Sequence, residues 1–311
     1  GYDHSDGYTG NETGGAKRSG GPAATPDPKR IDTITDQALH FIDRMHHDDK
    51  PFFLQISHYA VHLDIYYNQA TLDRVKQQQV PGRKHNMPEF AAMTSDLDDG
   101  LGRILDRLVD HNLLDNTWLL FMSDNGGRNR IPLAPEIQEH RNAPLRDGKH
   151  SFYEGGIRVP FFVLGPGVQP GSVSRVPVSG VDILPTLADL AGYQESLPDN
   201  VDGGSMRTVL TNGGTGQVTR PRPYLVFHQA VERHPMSALR MGDMKLVKLW
   251  ESNAVELYDL SKDISEVNDL SAAMPEKTEQ LHSMMTGFLT DVGAETRQTV
   301  KKKKKRAALG R

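Results

Sequence analysis

Apolar residues recur along this chain in two rhythms, and the switches between them outline its elements. From Ile31 to Asp48 the positions Ile31, Ile34, Ala38, Leu39, Ile42 and Met45 fall on one stripe, which predicts an amphipathic helix. Pro51-Phe-Phe-Leu-Gln-Ile-Ser57 follows as a short buried strand. Phe90 to Asn112 reads as a second helix, with Leu97, Leu101, Ile104, Leu105 and Leu108 inward and charges outside. Trp118 to Ser123 and Val159 to Leu164 are compact apolar runs of strand length. Asp182 to Ala191 returns to helical spacing and stops at Gly192, a residue suited to the left-handed end of a helix. Strands alternating with helices predict an α/β domain built on a largely parallel central sheet with helices on both faces.

After about residue 195 the pattern changes. Residues 198–223 are loop-rich, with Gly203-Gly204 and Gly213-Gly214. Short strand-like runs follow at Tyr224–His228, Ser237–Met241, Met244–Trp250 and Glu256–Leu260, with Gly242-Asp243 as a hairpin signal. A last helix is predicted over Glu276 to Val292. These elements make a small antiparallel C-terminal subdomain with one helix. The expected organisation is an α/β domain over 1–200, the subdomain over 201–297 and a basic tail over 298–311. Residues 9–30 read as a long irregular loop; its Asn11-Glu12-Thr13 is a glycosylation triplet of a kind common by chance.

With 311 residues the chain can bury a full core, and no apolar run approaches the ~20 residues of a membrane span. It contains no cysteine, which excludes disulfides, zinc-thiolate sites and cysteine nucleophiles within these residues. The formal charge of −4 conceals an asymmetry, because Lys301 to Lys305, Arg306 and Arg311 crowd into the tail and leave the body more acidic. A solvated tail is the expectation, and no nucleic-acid partner. The chain begins Gly1-Tyr2-Asp3 and its first methionine is Met45, which suggests a fragment or a processed product. The lack of a signal peptide is then silent about location.

Three strand-flanking segments carry candidate chemistry. Ser57-His-Tyr-Ala-Val-His62 follows one strand, Ser123-Asp-Asn-Gly-Gly127 follows another, and Ala143 to Pro160 leads into a third. Loops flanking the strands of one parallel sheet can share an edge. There Asp124 and Asn125 would offer oxygen ligands to a hard cation, and His62 and Lys149 a proton donor and a cationic clamp for an oxyanion. Taken singly, each has a plainer reading. Asp-Asn-Gly-Gly is a common turn, His62 and Lys149 read as surface residues, Glu154-Gly155-Gly156 as a tight backbone turn, and Arg158 as an ion-pair partner.

In order, Phe121-Met-Ser-Asp-Asn-Gly-Gly127, Asn142-Ala-Pro-Leu-Arg-Asp-Gly-Lys149 and Tyr153-Glu-Gly-Gly-Ile-Arg-Val-Pro160 resemble the sulfatase family, of arylsulfatase type. Phe52 to His62 is similar to the family's strand-and-histidine segment, and Leu257 to Glu266 with Asn268-Asp-Leu270 to its C-terminal signature. The resemblance implies an alkaline-phosphatase-like fold lacking its first strands. It implies hydrolysis of an aryl or carbohydrate sulfate ester by a formylglycine, expected in a segment preceding Gly1, with calcium or magnesium as cofactor. Asp124 and Asn125 match metal ligands, Lys149 the lysine that grips the sulfate, and His62 the histidine that bonds it and protonates the leaving oxygen. A periplasmic, extracellular or lysosome-like compartment goes with the family; oligomeric state is left open.

The departures shape the expectation. No Cys- or Ser-x-Pro-x-Arg motif occurs, Leu63-Asp64 stands where the family commonly has Thr-Pro, and His150 where glycine is common. This chain alone is therefore expected to be inactive. A phosphate or phosphonate monoester hydrolase of the same superfamily, and a non-catalytic relative, are the alternatives. Arg128, Arg130, His140 and Arg141 could meet a sulfated sugar or could simply be solvated.

Overall fold

The computed structural model describes residues 2–5, 10, 14, 21–78, 87–129, 141–230 and 235–295. The Asn11–Thr13 triplet, Arg130, His140 and the basic tail lie outside the described residues. The chain forms two compact units: residues 1–117 with 130–141, and residues 118–129 with 142–311.

The first unit is built on helices α1 (Ile31–His47), α2 (Gln69–Gln78) and α3 (Pro88–Asp110), beside a two-residue parallel pairing of β1 (Ala23–Ala24) with β2 (Tyr66–Tyr67). The α1 stripe buries Ile31, Ala38, Leu39 and Ile42 as its spacing predicts, and α3 buries Ala92, Met93, Ile104 and Leu108. Gly100 lets these helices approach closely, since a Cβ there would stand 2.8 Å from Thr35 Oγ1. The rim carries Arg103 paired with Asp32 (3.2 Å) and Arg107 paired with Asp43; these part-exposed pairs add little to stability. Helix α2 escapes the sequence pattern because only Leu72 and Val75 supply its apolar face. It is started instead by Asn68, whose Oδ1 accepts from Ala70 N at 2.9 Å.

Pro51–Ser57, expected as a strand, pairs with no strand among the described residues. Its residues still alternate between exposed and half-buried, the period of an extended chain. Extended spacing was legible there, whereas a ladder needs a partner that one-dimensional pattern does not supply.

The second unit holds β3 (Leu119–Met122) against β4 (Phe161–Leu164), helix α4 (Glu154–Ile157), α5 (Ile183–Leu190), α6 (Arg207–Thr211), a four-stranded sheet and helix α7 (Pro275–Asp291). β3 and β4 pair antiparallel, with Phe121 opposite Phe162 and their rings stacked at 4.7 Å. The expectation was a largely parallel sheet, and this pair departs from it. Apolar spacing fixes where a strand lies but not the direction of the neighbour it pairs with. Helix α5 is entered through a capping box at Ser179 and Asp182, and the buried Asp182 also meets Arg220 at 2.6 Å. It ends as predicted at Gly192, with φ of 74°.

The C-terminal sheet runs β5 (Leu225–Gln229), β6 (Met236–Met241), β7 (Met244–Leu249) and β8 (Val255–Asp259), every neighbour antiparallel. Gly242, with φ of 60°, makes the predicted tight turn between β6 and β7. One face places Leu239, Leu246 and Leu257 against Leu281, Met285 and Leu289 of α7. The other gathers Met236, Ala238, Val247 and Tyr258 around Tyr153. Both faces of this sheet are therefore covered. Lys245, on the Tyr153 side, is fully buried.

Candidate active site

Strand β3 ends in Ser123, and the chain turns at once. Ser123 N donates to Pro160 O at 3.2 Å, the last tie between the strand pair, and its Oγ donates to Asn125 O at 3.0 Å. Asp124 is exposed. The Asn125 Nδ2 donates to Gly126 O at 3.0 Å, which leaves the amide Oδ1 as the group able to meet a cation. Among the described residues Asp124 makes no side-chain hydrogen bond or ion pair.

Lys149 is half-buried, and its backbone N donates to Gly127 O at 2.9 Å. That bond ties the lysine's loop to the turn carrying Asp124 and Asn125. Three others reinforce the junction. Gly126 N donates to Gly156 O at 2.9 Å, and Asn142 Nδ2 reaches both Gly127 O and Asp147 O at 2.8 Å. Glycine is needed for this backbone-on-backbone packing: a Cβ at Gly126 would fall 1.9 Å from Gly155 O, and one at Gly148 2.3 Å from Gly127 O. His150 takes a φ of 77°, a left-handed value that glycine adopts freely, which accounts for the glycine this position resembles.

His62 belongs to the first unit. Its Nδ1 lies 2.7 Å from Leu63 O, and since a carbonyl only accepts, that nitrogen carries the proton. Nε2 is left as an acceptor in the neutral ring and a donor in the imidazolium. Of the predicted site residues, then, the structure ties the segments of Asp124, Asn125 and Lys149 together within one unit, while His62 stands in the other. Arg141 packs its guanidinium 4.9 Å over the Phe90 ring.

The turn and its loop rest on a buried charged cluster that sequence reasoning passed over. Arg158 Nε donates to Glu154 Oε2 at 2.7 Å, as expected of an ion-pair partner. Lys245 Nζ lies 2.8 Å from Glu154 Oε1 and 2.8 Å from Glu266 Oε1, and Glu266 Oε2 accepts from Glu154 N at 2.6 Å. Burial opposes ionisation of Glu154, yet Lys245, Arg158 and Arg240 outweigh it and hold that carboxyl below the usual range. At Glu266 burial prevails and pushes the carboxyl up, with Lys245 pulling against it. The signal missed was Lys245 inside the run Met244-Lys-Leu-Val-Lys-Leu249, where a lysine reads as a solvent-facing position.

A hard cation takes six to eight oxygens. The Asp124 carboxylate and Asn125 amide fit two of them in kind, and no group of three or more His, Asp or Glu able to hold a metal occurs among the described residues.

Comparison with known proteins gives this arrangement its context. The sequence profile named Sulfatase matches residues 3–193, and one named N-sulphoglucosamine sulphohydrolase, C-terminal, matches residues 146–294. A protein named Sulfatase from Formosa agariphila is 33% identical over 270 residues, covering 80% of this chain and 47% of that protein. The N-acetylgalactosamine-6-O-sulfatase of Bacteroides thetaiotaomicron is 28% identical over 289 residues, covering 88% of this chain and 53% of its own length. Among solved structures, Ps i-CgsB in complex with k-i-k-neocarrahexaose superposes with a TM-score of 0.71 at 26% identity, covering 83% of this chain and 54% of that one. This chain thus spans about half the length of the curated relatives it matches. Its α/β architecture with an antiparallel C-terminal sheet is the alkaline-phosphatase-like fold of those neighbours, and the chain belongs to the sulfatase family.

Proposed function

We propose that this chain supplies part of the catalytic centre of a sulfuric ester hydrolase acting on a sulfated carbohydrate. The observation that carries the reading is the bond from Lys149 N to Gly127 O, which fixes the loop of the half-buried Lys149 to the turn bearing Asp124 and Asn125. Asp124 and Asn125 would hold a calcium or magnesium ion, which when bound would draw electron density from the sulfate group. Lys149 would grip the sulfate and the ester oxygen. Negative charge grows on that oxygen as the S–O bond breaks, so an ammonium beside it stabilises the transition state more than the ground state. The family resemblance gives His62, which stands in the first unit and bears its proton at Nδ1, the role of protonating the departing oxygen. The nucleophile proposed is a formylglycine contributed from outside these 311 residues, since they contain neither a cysteine nor a Ser-x-Pro-x-Arg sequence. The carbohydrate preference draws on the two relatives named above for, or bound to, carbohydrates. The site would stand in a periplasmic, extracellular or lysosome-like compartment.

The test is turnover by the full-length protein on 4-nitrocatechol sulfate and 4-nitrophenyl phosphate in parallel. Lys149→Ala and Asp124→Ala are each expected to lower kcat/KM for the sulfate about 100-fold or more, with the melting temperature unchanged. Preference for the phosphate ester would assign the site to phosphoryl transfer, and wild-type rates in both variants would remove these residues from catalysis.

A further inference from the structure

The cluster around Glu154 does more than fill space. Lys245 and Glu266 are completely buried, and neither belongs to the loop or turn that carries the candidate chemistry. Burying an ion pair costs desolvation, and apolar replacements of similar size are often as stable or more so. Stability alone thus gives no reason for this arrangement. What the charges do provide is a fixed direction. Glu266 grips Lys245 through Oε1 and the Glu154 backbone N–H through Oε2, while the Glu266 carbonyl accepts from Arg146 Nη1 at 2.9 Å. Arg146 is further held by the Tyr258 hydroxyl at 2.7 Å. Both ends of the loop are therefore anchored by the C-terminal region: Arg146 before Lys149, and Glu154 after it. Gly155 N closes the loop on Arg146 O at 2.8 Å, and Gly156 O receives Gly126 N. An unbroken set of short contacts runs from β7 and the Glu266 loop to the Asp124-Asn125 turn, all within the second unit.

We infer that Lys245 and Glu266 are positioning residues, which through Glu154 and Arg146 seat the Arg146–Gly156 loop on the Gly126-Gly127 turn and thereby set where Lys149 stands relative to Asp124 and Asn125. Its catalytic consequence rests on the sulfatase reading; its mechanical content does not. Groups that orient a catalytic residue in this way typically govern rate by about 10- to 100-fold.

The full-length protein provides the test, read by hydrogen exchange and by kinetics on 4-nitrocatechol sulfate. Glu266→Ala is expected to speed amide exchange at Gly126, Lys149 and Gly155 about tenfold or more while α7 keeps its protection. It should also lower kcat about tenfold or more with KM changed much less. Glu266→Gln, which keeps an oxygen to accept the Glu154 N–H but turns its NH2 toward the Lys245 ammonium, should recover part of both losses. Because Glu266→Ala leaves a buried ammonium with one partner fewer, the double variant Lys245→Met/Glu266→Leu guards against simple unfolding. It should stay folded and still show fast exchange at the three amides. Unchanged exchange there in a folded variant, or acceleration spread evenly over the β5–β8 sheet and α7, would overturn the inference. So would a wild-type kcat in the double variant. If the wild-type protein turned over no sulfate ester, the functional reading would fail while the exchange measurements still decided the clamp.

Discussion

His58 shows how much a single side chain's setting matters. Its Nδ1 is buried without a hydrogen-bond partner among the described residues, and burial pushes its pKa below the ordinary 6.5. A lowered pKa means that the folded state binds the proton less tightly than the unfolded chain does. The neutral ring's contribution is therefore complete above pH 6.5 and is lost as the pH falls through the folded-state value. The urea midpoint of the wild type should accordingly drop relative to His58→Gln between pH 7.5 and pH 5, and a pH-independent difference between the two would contradict this. The sequence marked the Ser57–His62 segment as chemically interesting and gave a role to His62 alone. The structure separates its two histidines: His62 Nδ1 donates to the Leu63 carbonyl, whereas no hydrogen-bond partner meets His58 Nδ1 among the described residues.

Among elements, those with long periodic patterns were legible and those held by single contacts were not. Helices α1, α3, α5 and α7 and the four C-terminal strands stand where their apolar spacing predicts them, because burial of one face dominates their formation. Helix α2 carries too few apolar residues to signal itself, and the pairing of β3 with β4 depends on a neighbour that spacing does not name. The glycine junction beneath the site is an element of another kind, made by backbone meeting backbone. A Cβ at Gly155 would stand 2.2 Å from Asp147 O and 2.4 Å from Arg146 O, atoms that cannot move without shifting the loop. Gly155→Ala is expected to destabilise the protein by about 3 kcal/mol, as overpacking does, measurable by urea denaturation. It should also lower sulfatase turnover, and a loss below about 0.5 kcal/mol would show that the junction yields readily.

At the scale of the whole molecule the chain covers about half of its relatives' length. Its residues include neither a cysteine nor a Ser-x-Pro-x-Arg sequence from which a formylglycine could form. The isolated 311-residue chain is therefore expected to hydrolyse no 4-nitrocatechol sulfate above the level of its own Lys149→Ala variant, in a fluorescence or absorbance assay sensitive to single turnovers. Measurable excess turnover would mean that these residues contain a nucleophile of another kind. By itself the sequence determined helices α1, α3, α5 and α7, the antiparallel C-terminal sheet and the family, and it nominated Asp124, Asn125, Lys149 and His62 as candidates, because periodic burial and short motifs are local properties of a chain. Only the tertiary structure decided that Lys245 is buried, that Glu266 grips the Glu154 backbone from 112 positions away, and that the Lys149 loop is bonded to the Asp124-Asn125 turn. Those are pairings between distant residues, and a buried charge or a glycine contact acquires its meaning from the partner the fold brings to it.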